Sequence, residues 1–323
     1  MKRRGLLGLL AASPALPARL RAQGTLPTVG YLGSETPEVF ASRLAAFREG
    51  LASQGFDEGR TVTIDYVWAQ SRNERLPVLA AELVARNVRV IAAPGSLAAA
   101  LAAKAATPTL PVVFETGADP VAAGLVGNLN RPGGNVTGVT SLNAEVGPKR
   151  LELLRELVPS ARSTAVLVNP TNPRNTEATV ASMTTAARAL GLELHLLNAS
   201  REEDFEPAFA AARRVDMLTI ANETFFNRPV QLAALSLKHA VPTAHQSREF
   251  ALAGGLMSYG GIVADSHRQA GVYVGRVLKG ERPAELPVQQ ATKVEFLINI
   301  RTAKVLGLAV PISVLSRADE VVE

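Results

Sequence analysis

VIAAPGSLAAALAAK, residues 90–104, sets a short apolar run against a Pro-Gly-Ser break and an alanine-rich helical tail. Strand, tight turn and helix start in that order are how many α/β proteins hold an anion. The first turn of a helix leaves backbone N–H groups without partners and carries the positive end of the macrodipole. Neither G-x-x-x-x-G-K-[ST] nor G-x-G-x-x-G is present, so no nucleotide fingerprint accompanies the turn.

The same alternation extends in both directions. Apolar runs Thr28–Leu32, Thr61–Trp68, Val88–Ala92, Pro111–Glu115 and Val136–Thr140 read as strands. Between them lie helical stretches Phe40–Gln54, with Phe40, Leu44, Phe47 and Leu51 at helical spacing, and then Leu76–Arg86 and Ser96–Ala106. A second series follows: helix Lys149–Leu157, strand Thr164–Val168, helix Glu177–Leu190, strand Glu193–Leu197, helix Asp204–Arg214 and strand Asp216–Ile220. Helix Pro229–His239 and strands Pro242–His245 and Gly255–Ser258 complete it. Short apolar strands alternating with helices predict an α/β fold with parallel sheets covered on both faces. Two runs, 28–142 and 149–258, predict two doubly wound lobes, with the hinge near Asn143–Pro148.

The 323-residue chain is 47% hydrophobic and 20% charged, an ordinary globular composition, and its length suits two domains with a core each. A net charge of +5 raises the question of nucleic acid. However, Lys2, Arg3, Arg4, Arg19 and Arg21 all sit in residues 1–23, where there is no acid. Without those five, the 34 Lys and Arg fall level with the 29 Asp and Glu, so the body lacks a basic footprint and no nucleic-acid partner is expected. Residues 1–23, MKRRGLLGLLAASPALPARLRAQ, read as an export signal with a basic start, an apolar stretch and small residues before Gln23. Arg3-Arg4-Gly5-Leu6-Leu7 resembles a twin-arginine signal, and a Sec signal is the alternative. Pro14, Pro17, Arg19 and Arg21 interrupt the run short of the roughly 20 apolar residues of a spanning helix. The absence of cysteine excludes disulfides, Cys-ligated zinc, thiol nucleophiles and a lipid anchor on Cys. The expectation is a periplasmic protein, cleaved after Ala22 or Gln23 and not lipidated.

Catalytic patterns are missing. His195, His239, His245 and His267 form no H-E-x-x-H or paired metal spacing, and there is no G-x-S-x-G elbow or S-x-x-K set. No catalytic residue, metal or cofactor is therefore expected. The loops after the strands remain: GSETP (33–37), PGS (94–96), TGADP (116–120), NPTNP (169–173), NETF (222–225), HQSREF (245–250) and YGGIVAD (259–265). In open α/β sheets the carboxyl ends of the strands are where ligands bind.

Several segments carry a resemblance. GYLGSETPE, AFREGLASQGFDEGRTVTIDYVWA, ADPVAAGLVGNLNRPGGNVTGVTSL, KRLELLRELVP, REFALAGGLMSYG and TAKVLGLAVPISVLSRADEVVE are similar to periplasmic substrate-binding proteins of ABC importers, of the tryptophan/tyrosine-type subfamily. The resemblance implies a type I periplasmic-binding fold: two Rossmann-like lobes joined by three crossovers that close on a ligand. It also implies that the chain returns after Tyr259, with a helix at 263–280 joining the first lobe and residues 290–323 joining the second. A small carboxylate-bearing ligand, an amino acid or aromatic acid, would be delivered to an inner-membrane ABC permease by a monomeric receptor. A sensor that presents ligand to a membrane receptor is an alternative, and an enzyme on the same scaffold a more distant one.

On this reading Gly95 and Ser96 meet the ligand carboxylate; Ser96 as a plain N-cap is equally compatible. Thr116 and Gly117 supply a second contact from the first lobe. Ser34 and Glu35 face the cleft, and Asn169 offers an amide or forms a turn. Asn222 and Glu223 stand where relatives often carry an Asp-Pro pair. Asp265 matches the position where amino-acid-binding relatives place a carboxylate against the ligand amine. His245 and Tyr259, with Tyr31, Phe225 and Phe226, are candidate walls.

Overall fold

The computed structural model describes residues 25–141 and 143–323. The export leader read at 1–23 lies outside the described residues. The first series runs β1 (Thr28–Gly33), α1 (Ala41–Ser53), β2 (Thr63–Trp68), α2 (Leu76–Ala85), β3 (Val90–Pro94), α3 (Leu97–Ala106), β4 (Val112–Thr116) and β5 (Val136–Thr140). The second runs α4 (Gly147–Leu157), β6 (Ser163–Val168), α5 (Pro173–Ala189), β7 (Glu193–Asn198), α6 (Phe205–Ala212), β8 (Leu218–Ile220), α7 (Pro229–Lys238), β9 (Thr243–His245), α8 (Arg248–Leu252) and β10 (Met257–Gly261). Then come α9 (Val263–Leu278), β11 (Gln289–Gln290), β12 (Val294–Asn299), α10 (Ile300–Val305), α11 (Ile312–Leu315) and β13 (Glu320–Val322).

The strands form two sheets. One is wholly parallel in the order β11-β5-β4-β3-β1-β2; the other runs β13-β12-β10-β9-β8-β6-β7. Their central strands are buried end to end, as parallel strands covered on both faces must be. In β1, Val29 and Tyr31 point toward α1 and α9, while Leu32 points toward α2 and α3, so the first sheet has a core on each face. The second sheet is built around Leu151, Val166, Phe205, Phe209 and Phe250.

Parallel pairing breaks at one place: β10 and β12 are antiparallel, with Gly261 opposite Val294. The cause is topological. The chain leaves the second sheet at the end of β10, adds α9 and β11 to the first lobe, and re-enters beside its point of exit, so β12 must run back along β10. The other crossovers lie alongside, where Ala291 N–H donates to the Thr140 carbonyl at 2.8 Å.

Helix α9 packs along α1 at very short range. A Cβ on Gly50 would lie 1.9 Å from the Arg268 carbonyl oxygen, and one on Gly271 would lie 2.0 Å from that of Phe47. Only glycine allows the two backbones to meet in this way. Two boundaries differ from the sequence reading. Helix α5 starts at Pro173, because proline fits the first turn of a helix, where no N–H is needed. The Tyr259-Gly260-Gly261 segment is strand rather than loop, since it pairs with Phe296, Glu295 and Val294.

Candidate functional site

The Pro94-Gly95-Ser96 turn lies at the carboxyl end of β3. Gly95 has φ +89, and a Cβ there would come within 2.9 Å of the Phe40 ring and 3.1 Å of His267 Nε2. The turn therefore needs glycine both for conformation and for space. Ser96 caps α3, accepting from Ala99 N–H at 3.3 Å.

A polar cavity opens in front of this turn, between the sheets. Its walls include Arg43, Gly95, Leu97, Glu115, Thr116 and Gly117 from the first lobe. Asn172, Asn175, Asn222, Glu223, Thr224 and Gln246 line it from the second, with Ser141, Asn143 and Val263 from the crossovers. It is narrow: about 30 Å³ accepts the centre of a water molecule, on the order of one or two waters. Leu97, Ala118 and Asn175 are shared with an adjoining chamber of about 440 Å³ on the same measure. Ala118, Ala122, Ala123, Ala144 and Ala178 form the apolar part of its wall, and Asp119, Glu145, Arg174, Glu177, Thr179 and Ser182 stand around them.

Three buried charged residues face the polar cavity. Arg43 is 7% exposed and its guanidinium lies 5.2 Å over the Phe40 ring. It makes no hydrogen bond or ion pair with any of the described residues. Burial holds its pKa below the ordinary value, with the Glu115 charge partly opposing. Glu115, at the end of β4, accepts from Ser266 Oγ at 2.9 Å and lies 3.7 Å from His267. Glu223 accepts from the Asn172 amide at 2.7 Å and the Asn175 amide at 3.1 Å. Burial pushes its carboxyl up to about 7, the Glu35 charge adding to the effect and the two amides opposing it. One cationic fork and two carboxyls in one small space can hold an anion and a cation of a single small molecule.

The crossovers are tied together by a buried arginine. Arg150 Nε donates to the Tyr259 carbonyl at 2.9 Å and Nη2 to the Asn143 carbonyl at 3.2 Å. Asn143 Oδ1 accepts from Gly261 N–H at 2.6 Å.

Gly95, Thr116, Gly117, Asn222 and Glu223 come together at this cavity, as their strand-end positions suggest. Gly117 and Asn222 face each other across the lobes, a Cβ on Gly117 falling 2.1 Å from Asn222 Nδ2. The other candidates do not line it. Ser96 is buried behind the turn as a cap. Ser34 is buried with an unpartnered hydroxyl, and Glu35 is paired with Arg228. Asn169 Oδ1 accepts from Thr171 N–H and Oγ1, closing its own turn. His245 is fully buried against Phe250; burial above all lowers its pKa to about 3, and Nδ1 accepts from Ser247 N–H. Tyr259 packs edge-on to Phe296. Asp265 is half exposed and 2.6 Å from Arg268, its i+3 neighbour on α9. Tyr31, Phe225 and Phe226 belong to the cores.

Arg43, Glu115, Asn172 and Asn175 were not singled out from the sequence. A signal existed for the first two. Arg43 occupies the i+3 position of the Phe40-Leu44-Phe47-Leu51 stripe, a charge on the face of α1 that should be apolar. Glu115 interrupts the otherwise apolar run of β4.

Comparison with known proteins agrees with the fold. The family model described as ABC transporter substrate binding protein matches residues 39–322. A tyrosine-binding protein of Clostridioides difficile strain R20291 is 27% identical over 266 residues, covering 81% of this chain and 75% of that protein. The crystal structure of a conserved domain protein from Vibrio cholerae superposes with a TM-score of 0.81 at 28% identity, over 92% of this chain and 100% of that one. A Streptococcus pneumonia ABC domain crystallised with L-Trp gives a TM-score of 0.83 at 24% identity, over 92% and 100% of the two chains. The fold is that of the type I periplasmic binding proteins.

Proposed function

The chain belongs to the family of ABC transporter substrate-binding proteins, and we propose that its cleft receives a zwitterionic amino acid with a bulky apolar side chain. The family is one of binding proteins, not of enzymes. The ligand carboxylate meets Arg43 and the free N–H groups at the start of α3; the ammonium lies between Glu115 and Glu223. The observation that carries this reading is Arg43, a residue only 7% exposed whose guanidinium opens on the cavity and has no acceptor among the described residues. A charge drawn largely out of water without a partner is costly, so its retention at a cavity wall favours an anion there. The polar cavity has no room for a whole amino acid, so the side chain extends into the adjoining chamber, against its alanine side. The C. difficile relative, named as a tyrosine-binding protein, supports an aromatic side chain.

Membership of the family, the reading of residues 1–23 and the absence of cysteine support a periplasmic, non-lipidated receptor that passes its ligand to an inner-membrane ABC permease, with a monomer as the default state. The test is calorimetric titration with L-tyrosine, with tyramine, which lacks the carboxylate, and with 3-(4-hydroxyphenyl)propionate, which lacks the amine. L-tyrosine binds tightest, and Arg43→Gln weakens it by about 10- to 100-fold, the range for losing a hydrogen bond to a charged group. Equal affinity of wild type and Arg43→Gln for L-tyrosine would refute the carboxylate assignment.

A further inference from the structure

The lobes meet a second time, outside the polar cavity. The Arg228 side chain, 9% exposed at the start of α7, is held within its own lobe by three contacts. Nε donates to Glu202 at 2.8 Å, Nη1 donates to the Phe225 carbonyl, and the guanidinium lies 4.8 Å over the Phe225 ring. Its remaining arm crosses between lobes: Nη2 donates to Glu35 Oε2 at 3.0 Å and to Ser71 Oγ at 3.1 Å. Glu35, its side chain 3% exposed, is held in turn by Ser71 Oγ at 2.7 Å. Beside this pair, Asn227 Nδ2 donates to the Val39 carbonyl at 3.2 Å, and Thr224 Oγ1 donates to that of Gly95.

We propose that Arg228 and Glu35 form a clasp that sets the closed fraction of the receptor, and through it the affinity, without touching the ligand. Neither residue lines the polar cavity. Each half is ordered by contacts inside its own lobe, so joining them costs little further side-chain entropy. Both charges lose water on closing. Such a pair gains little over an apolar contact, but either member buried alone is heavily penalised. The clasp therefore favours one closed register. Arg228 also anchors segment 222–228, which carries Glu223 and Thr224, so it positions two cavity residues from outside. Because apparent affinity scales with the binding-competent fraction, weakening the clasp weakens binding although neither residue touches the ligand.

The inference rests on the two-lobed receptor reading only for its ligand probe. The chain has no cysteine, so spin labels at Val78→Cys on one lobe and Val305→Cys on the other, both exposed, report the inter-lobe distance cleanly. In ligand-free protein, pulsed electron resonance shows the distance distribution shifted to longer values in Arg228→Met and in Glu35→Gln. L-tyrosine affinity falls about tenfold in each, chiefly through faster dissociation. Arg228→Lys recovers part of the loss. The double variant is no worse than the worse single, because the second change removes a partner already lost. Unchanged distances in both folded single variants, or losses that simply add, would overturn the clasp. If wild type fails to bind L-tyrosine, the ligand reading falls and the ligand-free distances still decide the clasp.

Discussion

Glu223 is the group through which pH should act on binding. Its carboxyl is buried in the cavity wall and pushed up to about 7, mainly by burial. It is faced by Asn172, just before α5, by Asn175 of α5, by the Phe225 N–H, and across the cleft by the Glu35 charge. A ligand ammonium favours the ionised form, so an amino acid binds the fraction of protein that has lost this proton. With a pKa of about 7, that fraction is about one half at pH 7 and about one hundredth at pH 5. Affinity for L-tyrosine should therefore fall roughly fivefold from pH 7 to 6 and about fiftyfold from pH 7 to 5, about 2 kcal/mol. At pH 7, binding should release about half a proton, readable by calorimetry in two buffers of different ionisation enthalpy. His245 and His267, held to about 3 and about 4 principally by burial, stay neutral throughout this window.

Stability of the ligand-free protein should move the opposite way. A carboxyl whose folded pKa is raised binds more protons folded than unfolded. Its contribution therefore grows as pH falls from about 7 toward 4.5, by up to about 3 kcal/mol. Loss of affinity alongside a gain in stability separates this mechanism from acid unfolding. Glu223→Gln should bind at the weak, low-pH level and show no slope between pH 5 and 7. A flat wild-type profile, or the same slope in Glu223→Gln, would refute the ammonium contact.

Two further outcomes follow from the packing. Ala178→Phe fills part of the 440 Å³ chamber and should lower affinity for L-tyrosine at least tenfold while changing that for L-serine less than twofold; parallel losses in titrations would mean that the chamber does not take the side chain. Gly271→Ala forces a methyl to within 2.0 Å of the Phe47 carbonyl oxygen and should destabilise the fold by about 1–3 kcal/mol or more, read from the urea midpoint. An unchanged midpoint would mean that α1 and α9 separate without cost.

The α/β class with two sheets, the strand-end position of the site and the glycine turn at residue 95 follow from local pattern. Period, length and composition are properties of neighbouring residues, and these set the strands, helices and turns almost as they are found. The turn at Gly95 is legible because a Gly between strand and helix start marks a left-handed turn, whereas the Phe40 and His267 contacts that also demand glycine are tertiary. What local pattern could not decide is which polar side chains are spare. Asp265, Asn169 and Glu35 have the right chemistry, yet Arg268, Thr171 and Arg228 already satisfy them. Arg43, a charge on the inward face of α1, is buried and left without an acceptor among the described residues. The antiparallel β12 likewise depends on where the chain re-enters the second sheet, not on its own residues. Sequence by itself determined the elements and the edge on which they present their loops. Only the tertiary structure decided which buried charges have partners, because a partner is a matter of distance across two lobes, and residues 43, 115 and 223 become neighbours only when the chain is folded.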